Sequence, residues 1–127
     1  MADQYTASLK NGGEIYIPAW PASVALENLT KAGEFIGTDN LLEIAELSIP
    51  AVIRSILHSK TSEETTRLIR HFVCTVRKDG KRITEQDFND MFDGGLFEIA
   101  EIFAHVIKSQ YLSFFEQGLA KETSQDN

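Results

Sequence analysis

The stretch from Gly94 to Gln117, GGLFEIAEIFAHVIKSQYLSFFEQ, constrains this chain more than any other. Leu96, Ile99, Phe103, Val106, Ile107, Tyr111 and Phe114 recur three or four residues apart, the spacing of one side of a helix. Glu98, Glu101 and Lys108 fall towards the other side. At 1.5 Å per residue, about 22 residues run roughly 33 Å, enough to cross a small domain. The end of this helix poses a problem. Adjacent positions point about 100° apart, so Phe114 and Phe115 cannot both sit squarely on one core face. Burying a Phe ring is worth roughly 1.5–3 kcal/mol, so something should cover the second one. An earlier part of the chain or a partner protein would serve.

The rest reads as a helical domain with one small β element. Gln4–Leu9 and Glu14–Ile17 are β-favouring runs around Lys10-Asn11-Gly12-Gly13, a hairpin over residues 4–17 that Pro18 ends. A lone hairpin is marginal, so it should pack on the long helix. Pro21 opens a first helix with a stripe Ala22, Leu26, Leu29, Gly33, Ile36, and Gly37 suits its C-terminal cap. Thr38 or Asp39 can cap a second helix and Ser48, with Pro50, a third. Val52, Ile53, Ile56 and Leu57 give the third helix a strongly apolar face, and because residues 41–57 are apolar almost all round, much of that segment is expected to be buried. Thr61-x-x-Glu64 has the form of a capping box before Leu68, Ile69, Phe72, Val73 and Val76. Asp79-Gly80 ends that helix, and Thr84 with Asp87 opens a short one. The expected fold is mainly α, with five to six helices and a small N-terminal β-hairpin. A single domain over 1–118 precedes a mobile polar tail, 119–127.

Composition bounds the function. With 127 residues and a hydrophobic fraction of 43%, one domain with a real core is expected. No apolar run nears the roughly 18 residues that span a membrane. The start MADQYTASLK lacks a secretory pattern, and the single Cys74 excludes an intramolecular disulfide, so a cytoplasmic setting is expected. A net charge of -7 disfavours nucleic-acid binding. His58, His71 and His105 lack metal-ligand spacing, and Asp87, Asn89, Asp90 and Asp93 fit no frame of a calcium loop. Asn28-Leu29-Thr30 matches a glycosylation triplet inside an expected helix. No phosphate loop, nucleophile elbow or acid–base–nucleophile set is present. The expectation is no enzyme, no cofactor and no metal. One feature departs from the acidic background: Arg67, Arg70, Arg77, Lys78, Lys81 and Arg82 fall within sixteen residues. They suit a solvated face or a dock for an acidic segment, such as a neighbouring copy's Glu98 or Glu101.

The layout suggests a family. A strand pair (YTASLKNGGEIYIP), a striped helix (PASVALENLTKAGEFIG), apolar middle helices and a closing HVIKSQYLSFF resemble the tail assembly chaperones of long-tailed bacteriophages and prophages. Many of these end in a helix with Val-Ile, Asn-Phe and Phe-Phe pairs. Val106-Ile107 and Phe114-Phe115 match, while Gln110-Tyr111 stands in place of Asn-Phe. The resemblance implies a host-cytoplasm protein that holds the hydrophobic helices of the tape measure protein. It also implies help in recruiting tail tube subunits, and absence from the finished tail. Phe103, Ile107, Tyr111, Phe114 and Phe115 are then the expected partner-binding residues, with self-association an open possibility. The rival expectations are a structural phage component, such as a head–tail connector or minor tail protein, and a small regulatory adaptor.

Overall fold

The computed structural model describes residues 4–92 and 95–120, and the elements run as the sequence patterns dictate with four departures. Strands β1 (Gln4–Ser8) and β2 (Glu14–Pro18) form the hairpin, pairing antiparallel from Gln4 opposite Pro18 to Ser8 opposite Glu14. Leu9 N–H donates to Gly13 O (2.6 Å) and closes a three-residue loop. Gly12, not Asn11, takes the left-handed backbone there (φ +104°), the position that costs glycine least. Helices α1 (Ala22–Phe35), α2 (Thr38–Ala45), α3 (Ile49–Leu57) and α4 (Ser62–Val73) follow. Then come β3 (Arg77–Lys78), β4 (Lys81–Arg82), the short α5 (Phe88–Met91) and the long α6 (Leu96–Phe115). A π-helical turn, Glu116–Ala120, continues α6. Leu119 and Ala120 thus belong to that turn, and the rest of the expected polar tail lies outside the described residues, as do Asp93 and Gly94.

The axis is α6. It packs against α2, α3, α4 and β2, and one core cluster joins them all. Ile15 and Ile17 enter from the sheet, Ile44 from α2, Val52 from α3, Phe72 and Val73 from α4, and Phe103, Val106 and Ile107 from α6. The first departure lies here. Positions 102–107 of α6 are buried in succession, so the helix is enclosed all round rather than striped. The hairpin covers the second side. Tyr5 Oη and His105 Nδ1 share a hydrogen bond of 2.7 Å, Lys10 N–H donates to Glu101 Oε2 and Asn11 Nδ2 to Glu98 Oε1. Glu98 is paired with Lys78 Nζ at 3.0 Å.

The second departure is a second hairpin. Asp79 (φ +51°) and Gly80 (φ +80°) form a two-residue turn with both residues left-handed, joining β3 to β4. Asp-Gly was legible as a helix stop but here it turns a strand pair, and the sheet order is β1-β2-β3-β4. Helix α4 accordingly ends at Val73, and Val76 is buried beyond it. Its Thr61 makes no side-chain cap bond. The third departure is the face of α1. Its buried residues are Asn28 and Ala32, while Leu26 of the expected stripe is 62% exposed. The Nδ2 of Asn28 has no partner among the described residues. An amide on the buried face hides that face from any hydrophobic pattern. Gly37 precedes α2 as its N-cap instead of ending α1.

The joint between α2 and α3 combines an expected cap with an unexpected turn. Ser48 Oγ accepts from Ala51 N–H (3.2 Å) with Pro50 in the first turn, as expected. Leu47 before it is left-handed (φ +68°), the place after a helix that usually holds glycine. Its N–H donates to Ile44 O (2.8 Å) and its side chain rests against the core. The fourth departure follows from α3 and concerns the surface.

Candidate partner-binding surface

Helix α3 is turned inside out. Its buried residues are Ala51, Val52 and Ser55, none larger than valine. Its large residues face solvent: Ile53 is 45% exposed, Ile56 44% and Leu57 76%. Residues i, i+3 and i+4 share one side of a helix, so these three make a continuous apolar ridge, with half-buried Ile49 one turn before it. Leu41, Ile44, Ala45, Ala51 and Val52 are buried, as expected for much of 41–57, but these three ridge residues are not. Small residues let α3 approach α6 closely, which leaves the bulky side without a cover. Arg54, on the same exposed half, pairs with Glu43 Oε1 of α2 at 2.5 Å.

The end of α6 behaves differently from the α3 ridge. Phe103, Ile107, Tyr111 and Phe115 are all buried. Trp20 lies edge-on to both Phe72 (5.3 Å between ring centres) and Tyr111 (6.1 Å), and Tyr111 stacks on Phe115 (6.0 Å). Tyr111 Oη donates to Ala25 O at 2.7 Å, and burial pushes its phenol well above the usual value. Gln110 receives Trp20 N–H (3.1 Å) and donates to Pro18 O (2.9 Å). Gln110 and Tyr111 thus fasten the β2–α1 connection to α6. Of the five residues expected to bind a partner, only Phe114 is open to one, at 57% exposure. It lies seven residues after Ile107, within about 20° of the same side. The core stripe of α6 therefore runs on past its last covered layer.

The six cations do not form one face. Arg67 and Arg70 stand on α4, where the Arg70 guanidinium sits over the Phe88 ring (5.9 Å). The other four lie on the β3–β4 hairpin, with Arg77 opposite Arg82 and Lys78 opposite Lys81. Lys78 is engaged by Glu98, which leaves Arg77, Lys81 and Arg82 exposed. Like charges directly opposite disfavour a strand pair. An anion would relieve that repulsion.

Among the described residues no His, Cys, Asp and Glu group could hold a metal ion. His58 and His71 are exposed, and His105 is buried. Asn28 is buried too, out of reach of a glycosylating enzyme in the folded chain. Burial lowers the pKa of His105 from its usual 6.5, and the Lys108 charge adds to this. The unfolded chain thus takes up a proton near 6.5 and the folded chain only below that. Stability is expected to be level above about pH 6.5 and to fall as the pH drops through the folded value. Replacing His105 with Gln should flatten that fall, as thermal melts from pH 7 to pH 5 would show.

A family model described as phage tail assembly chaperone protein, TAC, matches residues 11–121. The chain belongs to this family. No curated protein and no solved structure matches it. For this tail assembly chaperone the HVIKSQYLSFF segment is chiefly a structural signature, since nearly every apolar residue in it closes the core. The exposed ridge was missed because an all-round apolar helix reads as buried. The signal that could have found it is the placing of Ala51, Val52 and Ser55 opposite Ile53, Ile56 and Leu57. Among the described residues no helix is long and apolar enough to cross a membrane.

Proposed function

We propose that this tail assembly chaperone is non-enzymatic and acts in the host cytoplasm by binding hydrophobic helices of the tape measure protein. In doing so it would aid assembly of the tail tube. The observation that carries this reading is the α3 ridge of Ile53, Ile56 and Leu57. An amphipathic helix docks through residues spaced i, i+3, i+4, and a ridge with that spacing is its natural counterpart. Phe114, at the far end of α6, is a second apolar contact of the same kind. The net charge of -7 opposes non-specific clumping through these open surfaces. Arg77, Lys81 and Arg82 supply a site for an acidic stretch of the same partner.

Co-purification with fragments of the tape measure protein tests the proposal. Phe114→Ser is expected to leave the melting temperature within about 2 °C, because an exposed side chain contributes little to stability. It should weaken capture by about five- to tenfold, the loss of one partly buried aromatic contact. Unchanged capture by Phe114→Ser and by ridge variants alike would overturn the reading. Recovery of the protein in purified particles would favour a structural tail component.

A further inference from the structure

The sheet is open along β1. The Leu9–Gly13 bond turns the Leu9 backbone towards β2, and alternation along a strand turns Tyr5 and Ala7 the same way. Gln4, Thr6 and Ser8 therefore direct their backbone N–H and C=O groups away from β2. The other side of the hairpin agrees. Glu14 O accepts from Asp79 N–H (2.7 Å), so Glu14 and Tyr16 face β3. Strand β1 is the first in the sheet, and no described residue takes up the outward groups of Thr6 and Ser8.

Natural edge strands are blunted by lysine, proline, a bulge or a covering segment. Strand β1 reads Gln-Tyr-Thr-Ala-Ser and carries no charge and no proline. Its register with β2 is unbroken across five pairs. We propose that this edge pairs with the β1 edge of a second copy of the chain, antiparallel about a two-fold axis through Thr6, joining two four-stranded sheets into one. The outward groups fall at 4, 6 and 8, symmetric about Thr6. Two copies then place Thr6 opposite Thr6 and Gln4 opposite Ser8, and every outward N–H meets a carbonyl.

Electrostatics also select this edge for a like copy. Two chains of charge -7 repel over most of their surfaces. Here the strand is uncharged, and the acidic groups beneath its hairpin are engaged. Glu98 is held by Lys78 and Asn11, and Glu101 accepts from Lys10 N–H. The contact involves backbone groups and leaves the α3 ridge free, so it is separate from the partner-binding proposal.

The contact is small, so the dimer should be concentration-dependent. Light scattering on the full chain is expected to show the mass doubling as concentration rises to about 1 mM. Thr6→Pro removes an N–H that no bond within the chain uses, so the monomer should fold while dimerisation is lost. Thr6→Cys in a Cys74→Ala background gives a second readout that does not depend on proline. Directly opposed residues in such a pair lie about 5.5 Å apart at Cα, within the roughly 4.4–6.8 Å a disulfide bridges. That variant should form a covalent dimer under mild oxidation, and Glu14→Cys in the same background should not. A chain that stays monomeric at about 1 mM, or a dimer that survives Thr6→Pro, would overturn the proposal. So would equal cross-linking by the two cysteine variants.

Discussion

Replacing Ile53, Ile56 and Leu57 together with Gln is expected to abolish measurable capture of tape measure helices while the domain stays folded. Each residue is roughly half exposed or more, so little core packing is lost. Gln is a good helix former, and α3 keeps its cap at Ser48 and its small buried face. On the partner side the loss is large. Central apolar anchors of an interface contribute about 1–2 kcal/mol or more each. Three of them lost together correspond to a weakening of about 100-fold or more. Calorimetry or surface capture with a tape measure fragment measures this, and circular dichroism melts check the fold. A triple variant that melts more than about 5 °C lower would show that the ridge serves the fold instead.

Phe103→Ala should do the reverse. The ring is buried at the centre of α6 and lies 5.4 Å from Phe72. Truncating such a ring typically costs about 3–5 kcal/mol, because the cavity is only partly refilled. Whole domains are stable by only about 5–15 kcal/mol. The expected fall in melting temperature is about 10–20 °C, read by calorimetry. Capture would fall as well, but through unfolding, and urea titration would locate the loss in the stability of the chain. A similar pattern is expected along Ile107, Tyr111 and Phe115. Loss of binding in those variants is therefore no evidence of contact unless the fold is shown intact.

The two sides of α6 show where sequence patterns inform and where they fail. Its existence, length and the middle of its apolar stripe were legible because large residues repeat at helical spacing, while Leu96 and Phe114 at the two ends of that stripe are exposed. Its burial on the Ile102–His105 side was legible only in that the hairpin was expected to pack on this helix, with nothing in the pattern to say which side it would cover. Likewise the α1 face centred on Asn28 and Ala32 carries too little hydrophobicity to register, so the louder Leu26 misleads. The β3–β4 hairpin was missed because four cationic residues in two-residue strands have no β-like pattern. Only the Asp79-Gly80 turn marks it. The problem of the two terminal rings was posed correctly in part: the chain covers Phe115 and leaves Phe114 out. The α3 ridge went unread because hydrophobicity counts residues without saying which side a neighbour occupies. On α3 the neighbour took the small side.

Photo-cross-linking from Leu57 shows whether a partner helix lies on the α3 ridge. A benzophenone side chain there, with a tape measure fragment present, should yield the chaperone–fragment adduct, and one at exposed His71, off the ridge, should not. Adducts from position 71 with none from position 57 would contradict the account and move the partner to another face.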